Sequence, residues 1–398
     1  MNRKYISPLF ISFLMAAASS VVSAQKVSVK KSFRFAEKQT EVMLTEILKA
    51  KVPGKPQLTE PRTLENGELK LVASRDWTSG FFPGELWYLY QYSGDAKWLT
   101  AAQQYTGLLQ QEQWNGSTHD MGFKMYCSYG NGYRLTKDTA YRRILIQSAR
   151  TLITRFNSKA GVIRSWDHGK DKWSYPVIID NMMNLELLFA ATSFTGDSSF
   201  YRIAVSHANT TLKNHFRTDY SSWHVVDYDT ATGAVIKKTT HQGFADGSAW
   251  ARGQAWGLYA YTLCFRETGD SAYLRQAQHI AAFVLNHPHL PADKVPYWDF
   301  NAPGIPNEPR DASAAAIMAS GLLELSRYSP QNGKAYRRSA AAMLQSLSTK
   351  YCAAPGSSKG FILLHSTGHK PNNSEIDVPI NYADYYYLEA LLRYQNLL

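Results

Sequence analysis

The chain repeats one pattern along most of its length. A mostly apolar helical stretch ends in a Gly-Asp-like turn, and a second, more amphipathic helix follows with an aromatic residue near its start. The turns are Gly94-Asp95 leading to Trp98, Lys137-Asp138 to Tyr141, Gly196-Asp197 to Tyr201 and Gly269-Asp270 to Tyr273, with a looser copy at Asn332-Gly333 leading to Tyr336. Glycine ends a helix in the left-handed conformation, and the aspartate caps the next one. The first helix of each pair, such as Leu185–Ala191 or Trp256–Tyr261, is apolar nearly all round and needs neighbours on every side. The second helices, such as 141–156 and 273–285, carry charge on one face and belong outside.

Inner helices are expected near 80–92, 121–133, 181–194, 252–266, 312–327 and 382–397, with a helix at 33–48 serving as the outer partner of the last. Six helical hairpins closed into a ring make an all-α (α/α)6 barrel. An open solenoid would have repeats of more regular length. One interruption, Trp223–Asp229 and Ala234–Lys238 around Ala231-Thr232-Gly233, alternates as a β-hairpin does and is expected near the barrel mouth.

Composition narrows the partner. Of 398 residues, 44% are hydrophobic and 19% charged, which excludes a disordered chain; the net charge is +11 with 52 aromatics. Nucleic acid, a membrane surface or an acidic substrate could each match that combination. Residues 1–24 read as a signal peptide, with Arg3 and Lys4 before an apolar run and Val22-Ser23-Ala24 before Gln25, leaving 25–398 as one catalytic domain. An exported, periplasmic protein is therefore expected, which counts against nucleic acid. No later segment is long and apolar enough for membrane insertion. Cys127, Cys264 and Cys352 have no metal-ligand or disulfide-framework spacing and are expected to pack as small buried hydrophobes.

The inner helices begin with unusual polar residues: Asp76-Trp77, His119-Asp120, Asp180-Asn181, Trp250-Ala251-Arg252, Arg310-Asp311 and Tyr382-Ala383-Asp384. In an alternating barrel these starts share one end. Asp76, Asp311 and Asp384 are equally well explained as helix N-caps. Asp120 and Asp180 sit among aromatic and apolar residues, and two carboxylates facing one pocket should repel until one pKa rises toward neutrality. Arg252 is either a buried structural guanidinium or, near Trp250 and Trp256, a bidentate receptor for a sugar carboxylate. Gly253 and Gly257 allow a helix or a ligand to approach closely. His224, His241 and Gln242 precede this run. No cluster has metal-ligand spacing, so neither metal nor cofactor is expected.

His119–Phe123, Tyr175–Asn184, His241–Phe244 and Ser248–Gly257 resemble the unsaturated glucuronyl hydrolases of glycoside hydrolase family 88, in order and over essentially the whole mature chain. The resemblance implies the (α/α)6 barrel and removal of a 4,5-unsaturated uronic acid from lyase-generated, glycosaminoglycan-derived oligosaccharides. The reaction it implies is hydration of the ring double bond, with Asp180 as acid and base. Asp120 would bind sugar hydroxyls and tune Asp180, and His224, Gln242, Trp250 and Arg252 would line the uronate subsite. Trp77, Trp166 and Tyr382 are further contacts. A related barrel acting on unsaturated rhamnogalacturonyl products is the nearest alternative, and a glycan-binding barrel without catalysis comes from another class. A sugar epimerase would need paired histidines that do not open these helices.

Overall fold

A computed structural model describes residues 27–397; the expected leader at 1–24 lies outside the described residues. Gly94, Gly196 and Gly269 adopt left-handed φ values of 70°, 75° and 72°, and each N–H returns to a carbonyl of the helix it ends. Lys137 takes the same role at φ 61°, without the glycine. Asp95, Asp138, Asp197 and Asp270 each accept a backbone N–H from the helix they open. Asn332 makes no side-chain cap, in keeping with the looser copy.

The inner helices are Phe81–Ser93, 122–136, 179–195, Ala251–Thr268, Ala312–Tyr328 and Asn381–Gln395. The second is a π-helix over Gly122–Gly130 before it becomes α-helical, and the third begins as a 3-10 turn over Ile179–Asn184. Outer helices are Val29–Lys49, Ala96–Gly107, Thr139–Ile153, Ser198–Asn214, Ser271–Asn286 and Gly333–Thr349. Each inner helix packs on the next in chain order, and the last packs back on the first. Every residue from Ala251 to Cys264 and from Ala312 to Ser326 is buried. Burying each Leu, Ile or Met there stabilises by about 1.5–3 kcal/mol, which outweighs the weak helix propensity of the Tyr, Thr and Gly among them.

The rest of the ordered structure consists of small antiparallel β-units. Glu60–Glu65 pairs with Glu68–Val72, and Ser366–His369 pairs with Ser374–Val378. The expected hairpin is present as Val225–Tyr228 and Val235–Thr239, and a third strand, Pro176–Ile178, joins it. Cys127 and Cys264 are buried, but Cys352 is only partly covered, because it follows the end of the outer helix Gly333–Thr349 rather than facing the ring. Among the described residues no helix is long and apolar enough to cross a membrane.

Candidate active site

The strand Pro176–Ile178 fixes Asp180. Its register places Ile178 opposite Val225, and one step on the Ile179 N–H donates to the carbonyl of His224 at 3.1 Å. Asp180 and His224 therefore meet where the sheet runs into the 3-10 turn, with His224 Nε2 3.7 Å from Asp180 Oδ2. The backbone N–H groups of His241 and Gln242 both donate to His224 Nδ1, each at 3.0 Å, so a neutral ring carries its proton on Nε2, facing Asp180. Burial, reinforced by His241, His369 and Arg252, holds the imidazole well below its usual pKa and keeps it neutral. Neither Asp180 Oδ2 nor His224 Nε2 has a hydrogen-bond partner among the described residues.

Burial pushes the Asp180 carboxyl up to about 7; Asp120 adds to the rise, while Arg252 and the Trp256 indole oppose it. The expected direction is observed, but its main cause is desolvation, with repulsion between carboxylates secondary. Asp120 is held by Thr118 Oγ1, which donates to Oδ2 at 2.7 Å, and by His119 Nε2 at 3.2 Å from Oδ1. The two aspartate-bearing turns are clamped together: Phe123 N–H donates to Asn184 Oδ1 at 3.0 Å. A Cβ on Gly122 would lie 2.6 Å from Asn184 Cα, so only glycine permits this approach.

These groups face a cavity of about 350 Å³ at the N-terminal ends of the inner helices. Trp77, Asp120, Trp166, Asp180, Gln242, Arg252 and Tyr382 all line it. Trp77 and Tyr382 lie 5.1 Å apart, centroid to centroid, and Phe123 packs 5.5 Å from Trp77. Phe81, Trp256 and Tyr386 continue the aromatic packing behind these lining residues.

The expectations for His224, Trp250, Arg252 and Asp384 change. His224 and Trp250 stand behind the cavity wall instead of lining it; Trp250 is buried, 4.7 Å from the His224 ring and 4.5 Å from the Arg252 guanidinium. The Arg252 fork is not open for a bidentate carboxylate. Nη1 donates to Asp311 Oδ2 at 2.8 Å and to the Thr367 carbonyl, and Nη2 donates to the Gly368 carbonyl, leaving Nε without a partner among the described residues. Of the two alternatives for Gly253 and Gly257, close packing is the one observed: added Cβ atoms would meet Trp250 and Ile179, or Ile280 and Phe216. Asp311 does cap its helix, but Asp384 lies inside its own helix and accepts the N–H groups of Ile362 and Leu363.

Sequence reasoning missed Arg62, His369 and Glu375, which also line the cavity. Arg62 Nε and Nη2 donate to Glu375 at 2.6 and 3.0 Å, while Nη1 donates to Asp76 at 2.7 Å. They come from two hairpins far apart in the chain, joined where Thr63 bridges Ile380, and no local pattern announces them. Among the described residues, no three His, Cys, Asp or Glu side chains converge as metal ligands.

Residues 55–394 match the model of Glycosyl Hydrolase Family 88. The chain belongs to this family. An unsaturated glucuronyl hydrolase of Formosa agariphila is 53% identical over 329 residues, 82% of each chain. The crystal structure of an unsaturated glucuronyl hydrolase specific for heparin superposes with a TM-score of 0.87 at 49% identity, covering 93% of this chain and 97% of the other. An aspartate-to-asparagine variant of the Streptococcus agalactiae enzyme, complexed with dGlcA-GalNAc6S, superposes with a TM-score of 0.77 at 29% identity, over 94% of each chain.

Proposed function

We propose that this family 88 protein is an unsaturated glucuronyl hydrolase that removes the 4,5-unsaturated uronate from glycosaminoglycan-derived oligosaccharides, working within an (α/α)6 barrel. The observation that carries the reading is Asp180: a carboxyl held near neutral pKa at the wall of a deep polar and aromatic cavity, in a chain 53% identical to a hydrolase of that name. The cyclic packing of the six inner helices supports the barrel.

The chemistry follows from one group that can both give and take a proton near neutrality. Protonated Asp180 delivers its proton to C4 of the enol ether, and positive charge develops at C5 and the ring oxygen. Ionised Asp180 then takes a proton from water as its oxygen bonds to C5. The C5–ring oxygen bond of the resulting hemiketal breaks, C5 becomes a ketone, and the hemiacetal left at C1 expels the second sugar as an alcohol. One water is consumed and Asp180 ends protonated. His224, neutral, turns its Nε2 proton toward Asp180 from 3.7 Å, close enough to form a hydrogen bond once the carboxylate ionises. Asp120 sustains the high affinity of Asp180 for its proton and accepts hydrogen bonds from sugar hydroxyls. Trp77, Trp166 and Tyr382 supply apolar faces for the rings, Gln242 supplies an amide, and Arg252 offers Nε and its buried positive charge to the uronate. Trp250 acts from behind, as the surface on which Arg252 and His224 rest.

The experiment is direct. Unsaturated disaccharides from heparin, chondroitin and hyaluronan should lose their conjugated ultraviolet absorbance when the protein is added, and no loss with any of them sinks the reading. Residues 25–398 form a single catalytic unit in this proposal, exported to the periplasm; a purified mature protein beginning at Gln25 is the corresponding check.

A further inference from the structure

Beside the cavity, two lysines converge without a counter-charge. Lys237 on the strand Val235–Thr239 places its ammonium 4.5 Å from the centroid of the Trp173 ring, and Lys172 places its own 4.8 Å from the same centroid. Lys237 Nζ also donates to the Lys172 carbonyl, which fixes it toward this loop. Among the described residues neither ammonium has a carboxylate within ion-pair distance, whereas Lys370, across the cavity opening, pairs with Glu308 at 3.2 Å. Each ammonium lacks a counter-charge, which an anion would supply.

The pair is one ring away from the cavity. Trp173 meets Trp166 edge to face at 5.8 Å, and Trp166, His168 and His241 are cavity walls. His168 stacks on Trp166 at 5.5 Å. The charge of Lys172 reaches the site: after burial, Lys172 and His168 are what lower the pKa of His241.

We infer that Lys172 and Lys237 recognise an anionic group on the sugars beyond the scissile bond, and so set the preference for the leaving oligosaccharide. This rests on the reading of the cavity as the uronate site. Two sources offer the same chemistry: a sulfate ester on the second sugar, or the carboxylate of the third sugar, since glycosaminoglycans alternate uronate with hexosamine. Either would accept charge-assisted hydrogen bonds from the two ammonium groups.

The test compares three substrates, an unsulfated unsaturated disaccharide, its 6-sulfated counterpart and an unsulfated tetrasaccharide, with wild type and K172M/K237M. The inference expects the wild-type kcat/KM ratio of sulfated disaccharide or of tetrasaccharide to unsulfated disaccharide to fall about tenfold in the variant, and which ratio falls identifies the anion. A ratio cancels any general loss from misfolding. Both ratios unchanged would overturn the inference. If wild type turns over none of the three, the function proposed above fails separately; the same ratios taken from equilibrium binding, read by tryptophan fluorescence, then decide the lysines by the same criterion.

Discussion

The two ends of the inner helices hold cavities of nearly equal size, about 350 Å³ at the N-terminal end and about 380 Å³ toward the C-terminal end, and they treat charge in opposite ways. At the C-terminal end two arginines are shared among four glutamates. Arg393 meets Glu324 at 2.7 Å and Glu389 at 3.1 Å, and Arg266 meets Glu324 and Glu267, each at 2.8 Å, and also Glu186. Tyr88 donates to Glu389 Oε2 at 2.8 Å and Tyr259 donates to Oε1 at 3.1 Å. At the N-terminal end Asp180 Oδ2 and His224 Nε2 are buried with no hydrogen-bond partner among the described residues. Burial works to raise both Asp180 and Glu324; Arg393 and Arg266 outweigh it and hold Glu324 low, whereas Asp180 rises to about 7. One end is finished by folding, and the other is left for a ligand to finish.

The comparison breaks first at Asp180. Asp180→Asn should lower kcat on the unsaturated disaccharide by roughly 10²–10⁴-fold with the fold intact by circular dichroism. Retained turnover would transfer the proton role to Asp120 and erase the distinction drawn above. Next, Arg393→Met strands Glu389 and part of the Glu324 pairing, and should destabilise the protein by about 3–5 kcal/mol in urea unfolding while leaving the kcat of the folded enzyme in place. A stable variant would mean that the far network does not hold the helices together.

A smaller effect sharpens the contrast through pH. The folded-state pKa of Asp180 lies above its unfolded value of 3.8, so the neutral carboxyl favours folding below that value, and this contribution is lost as pH rises to about 7. Asparagine does not ionise. The stability of Asp180→Asn relative to wild type should therefore grow by about 2–4 kcal/mol between pH 4 and pH 7.5, measured by denaturant titration. Wild-type kcat/KM should fall above about pH 7 as the free enzyme loses the proton it must deliver. A pH-independent stability gap would remove the claim that burial, and with it the unfinished end, holds Asp180 protonated.

Much of this architecture was legible in the chain because it is local. Asp95, Asp138, Asp197 and Asp270 cap within two residues of themselves, so their turns announce the helices. Asp120, Asp180 and Arg252 were visible as polar residues opening apolar helices, and the cavity collects all three. What escaped depends on distant partners. The hydrogen bonds of Arg252 to Asp311, Thr367 and Gly368 span at least 59 residues of chain, so its fork read as open when it is occupied. Arg62 and Glu375 find each other across 313 residues. The strand Pro176–Ile178 was missed because three buried residues leading into a turn carry no alternation, yet it sets the meeting of Asp180 with His224.

The aromatic packing of Phe81, Trp256 and Tyr386 behind the cavity lining has a kinetic meaning. In the proposed function substrate and products then share the mouth of the cavity. The proposed reaction would release the sugar nearest that mouth first, and the keto acid formed deepest would leave last. The keto acid therefore competes with incoming substrate for the empty enzyme, while the released oligosaccharide rebinds only to an enzyme that still holds it. Accumulated keto acid, more than accumulated oligosaccharide, would then throttle turnover.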